Sequence, residues 1–306
     1  MDTRRIGSLE VSVIGLGTNN FGFFMEEEAV APVVDAAIEA GITFFDTADS
    51  YLESEARLGR ALRGRRDEVV IGTKFGSPVD GQPGGASPAY LRAAVERSLS
   101  QLGTDRIDLY QLHQPDASTT IAETLGVLAE LVDEGKVLEI GCSNFTAAML
   151  DEAASAVAEG SPGFASVQNH WNLLQRADEE DAVPACERLG TSYLPYYPLA
   201  SGMLSGKYQR GELAPEGTRL KHFGPDAGGY FSDRNFDIVD SLRDFALARD
   251  HSVLELSMAW LLSKPVVASV IAGATSPSQV AANALAATWT LSPDEVIEIE
   301  RLSPPS

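Results

Sequence analysis

Short β-rich runs and helical patterns alternate along this chain with little interruption, and that alternation limits its fold more than any other feature. The β-rich runs stand at residues 11–16, 42–45, 68–73, 107–112, 137–142, 164–168, 192–197 and 266–272. Between them apolar residues recur at helical spacing, as at 27–40, 88–102, 121–134, 147–158 and 179–189. A strand, a helix and a second strand together make parallel sheet, because a parallel pair needs a long crossover to return to the same edge. Eight such units predict an α/β fold, a (β/α)8 barrel. The 306 residues suffice for one barrel with insertions. No composition break marks a second domain, so residues 1–306 are expected to form a single barrel domain.

One unit departs from the pattern. Residues 202–229, after the seventh run, are rich in Gly and Pro and carry Lys207, Arg210, Arg219, Lys221 and His222. A loop this long is expected to be functional. Helical patterns at 237–249 and 253–262 then give the seventh unit an extra helix. The tail 294–302 reads as a terminal helix started by Ser292-Pro293.

Composition excludes several classes. A net charge of -21 lacks the basic footprint that nucleic-acid binding needs. Residues 265–293 hold no charge, but Pro277, Gln279 and Asn283 interrupt them, which predicts a buried strand and a partly buried helix rather than a membrane span. Gly7, Ser8 and Glu10 break any apolar segment behind Arg4 and Arg5, so no signal peptide is expected. The two cysteines, Cys142 and Cys186, show neither metal-ligand spacing nor a disulfide framework, which suits a reducing cytoplasm. Cys142 is expected to be buried and unreactive, and His170, His222 and His251 show no metal spacing, so no metal site is expected.

Parallel α/β proteins carry their chemistry beyond the carboxyl ends of their strands. The residues there are Asp46, Lys74, His113, Ser143-Asn144, Gln168-Asn169, Tyr196 and Gly273-Ala274-Thr275-Ser276. Tyr51 follows Asp46 by one short loop. Singly, each has an ordinary explanation: Asp46 as a helix cap, Lys74 as half of a surface ion pair, Tyr51 as packing, His113 as a core histidine. Jointly, on successive strands, they make a proton donor. A phenol has a pKa of about 10; an ammonium at Lys74 favours phenolate, and a carboxylate at Asp46 would hold that ammonium. His113 could orient a substrate oxygen or share the proton. The set suits protonation of a carbonyl oxygen during reduction, which calls for a hydride source. Ser143, Asn144 and Gln168 could bind a carboxamide and Tyr196 could stack on a flat ring. Thr275 to Gln279 has the form of a capping box with Pro277 at the first helical position, a natural phosphate site. Gly15-Leu16-Gly17 is no Rossmann fingerprint, because the third glycine falls at Gly22 and no helix opens directly after it.

These motifs resemble the aldo-keto reductase family over nearly the whole chain. The resemblance is carried by Gly15-Leu16-Gly17-Thr18, Phe44-Phe45-Asp46-Thr47-Ala48-Asp49-Ser50-Tyr51, Thr73-Lys74-Phe75-Gly76, Asp108 to His113, Gly141-Cys142-Ser143-Asn144-Phe145, Val167-Gln168-Asn169, Tyr196-Tyr197-Pro198-Leu199 and Gly273-Ala274-Thr275. It implies a (β/α)8 barrel that binds NADPH in an extended pose, with NADH as the second option, and reduces an aldehyde or ketone. It carries the catalytic tetrad onto Asp46, Tyr51, Lys74 and His113, with Tyr51 as general acid. It implies carboxamide contacts from Ser143, Asn144 and Gln168, and stacking by Tyr196. Leu199, Gly202 and Leu204, with Lys207 beyond, would follow the pyrophosphate; Gly273, Thr275, Ser276, Gln279 and Asn283 would hold the adenosine end. The partner implied is a small carbonyl compound, and a homo-oligomer is compatible with it. The alternative is a slow or non-catalytic NADPH-binding redox sensor on the same barrel.

The chain also departs from the family's pattern. The turn after Tyr51 is two residues shorter than usual, Trp171 stands where tyrosine is common, and Ala282 replaces a residue that is often polar. Thr275 to Gln279 lacks the Arg or Lys that many members place on the 2′-phosphate, so Lys207, Arg219 or Lys221 is expected to supply that charge. Phe21, Phe23, Phe24 and Trp171, with Tyr230 and Phe231, are expected to wall an apolar substrate pocket.

Overall fold

The computed structural model describes residues 1–79, 81, 83–212, 221 and 229–305. The chain opens with an antiparallel hairpin, β1 (Thr3–Ile6) and β2 (Leu9–Ser12). Eight parallel strands follow: β3 (Ile14–Gly17), β4 (Phe44–Asp46), β5 (Val70–Phe75), β6 (Ile107–Leu112), β7 (Val137–Ser143), β8 (Ser166–His170), β9 (Ser192–Tyr196) and β10 (Val270–Gly273). They close into a barrel, with β10 pairing to β3. The predicted (β/α)8 architecture is therefore the observed one.

Local signals set the helices between strands. Ser87 caps Pro88–Leu102 with Pro88 in the first turn, and Gly103 ends that helix at φ +63°, a conformation open to glycine. Thr120 and Glu123 form a reciprocal capping box on Ile121–Asp133. β6 is buried at all six positions, as expected of a strand covered on both faces.

Two apolar cores result among the described residues. The larger lies between the strands and the surrounding helices. The smaller fills the barrel and joins Phe44, Leu109, Leu194 and Ile271 to Ile6, Leu9 and Val11 of the hairpin. The hairpin thus seals the end of the barrel where strands begin. Ser192 Oγ donates to Arg5 O (2.9 Å) and Ser8 N to Glu139 Oε1 (2.7 Å). The Arg4 guanidinium donates to the carbonyls of Leu262 (2.7 Å), Lys264 (3.1 Å) and Val267. With that end closed, the opposite mouth is the one that polar residues can occupy.

Run 11–16 is not one strand. It divides at Val13, because Ser12 Oγ accepts from Thr43 N (2.9 Å) and Phe44 N (3.3 Å) and donates to Ile14 O (2.6 Å), replacing ladder bonds. Run 266–272 is regular only from Val270; Val267 makes a single bridge to Tyr193. The uncharged stretch becomes β10 and the helix Pro277–Ala286. Among the described residues no helix is long and apolar enough to cross a membrane. After β9 stand the helices Asp233–Leu247 and Val253–Leu262, and Pro293–Leu302 forms the tail. Residues 213–220 and 222–228 of the long loop, Arg219 and His222 with them, lie outside the described residues.

Candidate active site

Parallel pairing levels the strand ends. Gly17 lies opposite both Asp46 and Gly273, Lys74 opposite Gln111, Ser143 opposite Gln168, and His170 opposite Tyr196. At this rim Lys74 is wholly buried and Asp46 nearly so. Lys74 Nζ donates to Asp46 Oδ2 (2.6 Å) and to Thr47 O (2.8 Å). The other carboxylate oxygen, Asp46 Oδ1, accepts from Gln168 Nε2 (2.8 Å) and more weakly from Gln111 Nε2 (3.4 Å). Burial works against the Lys74 charge, but Asp46 and Tyr51 outweigh it and raise the Lys74 pKa above the ordinary lysine value. The ammonium is therefore permanent at neutral pH. A protonated, ion-paired lysine is a poor amine nucleophile, which disfavours Schiff-base chemistry here.

The Tyr51 ring lies 5.2 Å from Lys74 Nζ and edge-on to His113, with ring centroids 5.6 Å apart. The structure thus brings Asp46, Tyr51, Lys74 and His113 together. It corrects one expectation about them. The Tyr51 pKa is raised, not lowered, because desolvation exceeds the pull of Lys74 and Asp46 adds to the rise. Without a ligand the phenol stays protonated. His113 is held down to about 3 by burial and then by Lys74, so its imidazole is neutral. Its Nδ1 lies 3.4 Å from Ser50 Oγ.

The predicted carboxamide group is an interlocked set. Ser143 Oγ donates to Gln168 O (2.6 Å), and Asn144 Nδ2 donates to His113 O (2.9 Å) and Ser143 Oγ (3.1 Å). Asn144 sits at φ +62° and receives the Tyr196 hydroxyl on Oδ1 (2.8 Å). Tyr197, Ala200 and Ser201 are also left-handed, as is Leu52 directly after Tyr51. Five of the six left-handed non-glycine residues among those described therefore gather on this rim, as strain does at functional sites. Leu52 takes φ +52° in the shortened turn, where glycine would be at ease.

Beyond the tyrosines, Leu199 is partly buried and Leu204 fully. Gly202 stands at φ +97°, and a Cβ there would lie 2.5 Å from Lys207 Cε and 2.7 Å from Nζ, so the lysine folds across the bare backbone. Ser276 caps Pro277–Ala286 by accepting from Gln279 N (3.3 Å). Gln279 Oε1 returns to Thr275 N (2.8 Å) and Oγ1 (3.2 Å), one residue before the cap. Asn283 is buried below, 3.5 Å from Gly273 O.

Two expected pocket walls are elsewhere. Phe21 is fully buried in the outer core. Trp171 packs edge-on against Tyr193 and Trp260 behind the barrel, with Nε1 on Glu179 Oε1 (3.2 Å). Phe231 packs on Tyr208 and Phe236, and Tyr230 turns its hydroxyl to His170. Phe23 does stand at the mouth, half exposed, with its ring 6.4 Å from that of Tyr51; Phe24 is beside it. Cys142 is buried and burial pushes its thiol pKa well up. Sequence reasoning missed Gln111, Thr47 and Ser50 as partners of the tetrad, and His170 as a neighbour of Tyr196. Gln111 follows from the alternation along β6, since it shares the register of Lys74; nothing in sequence marks His170 out. Among the described residues no three His, Cys, Asp or Glu side chains gather as metal ligands do.

The structure is thus a closed (β/α)8 barrel that carries a buried Lys–Asp pair beside a tyrosine at its open rim. The chain belongs to the aldo/keto reductase family, whose model matches residues 13–304. It is 34% identical to a probable aldo-keto reductase 1 of Glycine max, over 95% of this chain and 85% of that one. It is also 34% identical to the aldo-keto reductase YhdN of Bacillus subtilis, over 96% and 90%. An L-glyceraldehyde 3-phosphate reductase of Escherichia coli is 30% identical over 96% and 89%. The family is one of oxidoreductases that generally use NAD(P)H and act on small carbonyl compounds.

Proposed function

We propose that this chain reduces an aldehyde or ketone to the alcohol, with NADPH as the preferred cofactor, NADH as the second option and Tyr51 as the general acid. The observation that carries this reading is the buried Lys74–Asp46 pair with its ammonium 5.2 Å from the Tyr51 ring. NADPH, when bound, supplies a hydride to the carbonyl carbon. The Tyr51 proton goes to the carbonyl oxygen as charge develops there, leaving a phenolate. Desolvation keeps that proton on the phenol until it is needed; Lys74 then stabilises the phenolate in a site where water cannot screen the interaction. Asp46, braced by Gln168, holds Lys74 at a fixed point. Neutral His113 can hydrogen-bond the substrate oxygen through the ring nitrogen that does not face Ser50.

The residues along the rim fit a dinucleotide. Tyr196 presents a partly exposed ring anchored at its hydroxyl. The left-handed turn at 200–202 lies under the Lys207 ammonium, as a phosphate path requires. The exposed hydroxyls of Thr275 and Ser278 and the partly buried one of Ser276 stand at a helix N-terminus, where the helix dipole favours an anion. These donors, with Lys207, support the 2′-phosphorylated cofactor despite the acidic chain. Phe23, Phe24, Leu52 and Tyr197 are exposed at the mouth and favour carbonyl substrates with an apolar body.

The test is titration with NADPH and NADH by intrinsic fluorescence, followed by turnover on a panel of small aldehydes and ketones. Tight NADPH binding with turnover is expected. Binding with no turnover on any carbonyl would replace the reductase by the sensor, and no nucleotide binding would refute both.

A further inference from the structure

We infer that His170 is a positioning residue: it holds the Tyr196 ring in place for a stacked nicotinamide and couples that ring to Tyr230 in the connection after β9. This rests on the reading of Tyr196 as the stacking surface.

His170 and Tyr196 end neighbouring strands in register. Their rings lie nearly parallel, 13° apart in plane with centroids at 5.3 Å. Tyr196 is thereby held at two points, its face by His170 and its hydroxyl by Asn144. A flat neighbour in van der Waals range restricts the rotation that an isolated tyrosine at a rim would have.

His170 is itself fixed. Its Nε2 receives the Tyr230 hydroxyl and lies 3.2 Å from Asn172 Nδ2. Asn172 Oδ1 accepts from Leu174 N (2.8 Å), so it is the amide nitrogen, which can only donate, that faces His170; Nε2 is the acceptor and the proton sits on Nδ1. Burial lowers the His170 pKa to about 4, so the ring stays neutral and this arrangement persists at physiological pH. Asn172 also donates to Tyr197 O (2.9 Å), and Tyr197 is edge-on to both His170 and Tyr196. Tyr230 is almost fully buried, and its carbonyl accepts from Asn235 Nδ2 (3.0 Å) in the helix Asp233–Leu247. Contact therefore runs unbroken from that helix through Tyr230 and His170 to Tyr196 and on to Asn144 beside His113. No residue in it is charged, and each makes a directional contact, which is what a positioning device needs.

The experiment measures dissociation constants for NADPH and for 2′-phospho-ADP-ribose, which lacks the nicotinamide, in wild type, Tyr196→Ala, His170→Ala, His170→Phe and Tyr230→Phe. Tyr196→Ala must weaken NADPH and leave the nicotinamide-free ligand unchanged. His170→Ala is expected to weaken NADPH about three- to tenfold, the scale of one aromatic pair, with the nicotinamide-free ligand again unchanged. His170→Phe keeps a flat face and should recover most of that loss. Tyr230→Phe should weaken NADPH by about two- to fivefold alone and by much less in the His170→Phe background, where the bond to His170 is already gone and the hydroxyl keeps only the long contact from Asn172 Nδ2 (3.4 Å). If His170→Ala folds poorly, the His170→Phe and Tyr230→Phe cycle decides the matter. Wild-type affinity in His170→Ala, equal losses for both ligands, or additive effects in the cycle would overturn the role of His170. Failure of Tyr196→Ala to weaken NADPH would instead remove the stacking surface itself, and the inference with it.

Discussion

At the scale of single residues, the site depends on charges that are buried and matched. Lys74 and Asp46 are mutually compensating, so removing one strands the other. Lys74→Met should therefore lower stability by about 3–5 kcal/mol in urea titration, the cost of an orphaned buried charge. A loss under 1 kcal/mol would mean that Gln168 and Gln111 satisfy Asp46 unaided. Asp49 shows the opposite case. Burial, then Glu55, push its pKa up to about 7, while Arg97 at 3.8 Å only partly opposes them. The folded state thus holds a proton that the unfolded chain, near 3.8, releases earlier. Its contribution is fully present below about pH 4 and is lost as pH rises through about 7. Asp49→Asn is expected to flatten the decline in Tm between those limits, most visibly at pH 8; an unchanged pH profile would show that Asp49 does not carry it. That Asp46, Tyr51, Lys74 and His113 come together was legible in sequence, because each follows a β-rich run or its loop. The direction of the Tyr51 pKa was not, since desolvation is a property of assembled neighbours. His170 was also invisible: its partner Tyr230 lies 60 residues away, and spacing alone marks only metal ligands.

At the scale of elements, the short helix Asn19–Phe23 opens directly after Gly17, where none was expected, and it has a role its sequence did not disclose. A Cβ on Gly22 would fall 1.9 Å from Tyr51 O, so backbone rests directly on the turn that presents the tyrosine. The glycine that spoils a Rossmann fingerprint is required for this approach. Gly22→Ala must displace Tyr51, and kcat should fall by about tenfold to a hundredfold while nucleotide affinity changes little. Wild-type kcat in that variant would show that the turn gives way without moving the phenol. Most strands and helices were legible to within a few residues because periodicity and caps are local signals. The division of run 11–16 was not, because it depends on Ser12 reaching Thr43 and Phe44 across the fold. The two misplaced aromatics, Phe21 and Trp171, have the same origin: hydrophobicity does not say which side of the wall a ring faces.

At the scale of the whole molecule, the barrel is closed at one end by apolar packing and open at the other to polar chemistry. The hairpin belongs to the first task. Ile6→Ala should cost about 2–5 kcal/mol of stability and leave nucleotide affinity at the rim untouched. Loss of affinity in the folded variant would show that the two ends are coupled. The net charge of -21 was legible at once, yet it did not reveal that Lys207 lies over the bare backbone of Gly202. In the proposed reaction, hydride reaches a carbonyl carbon at this mouth while Tyr51 gives the proton. The most direct measurement is transfer of deuterium from NADPH dideuterated at C4 to a small aldehyde, by wild type and by Tyr51→Phe. Label is expected on the carbinol carbon with wild type, and a rate lower by about two to four orders of magnitude with Tyr51→Phe at unchanged NADPH affinity. Equal rates in the two proteins, or alcohol formed without label, would contradict that reaction.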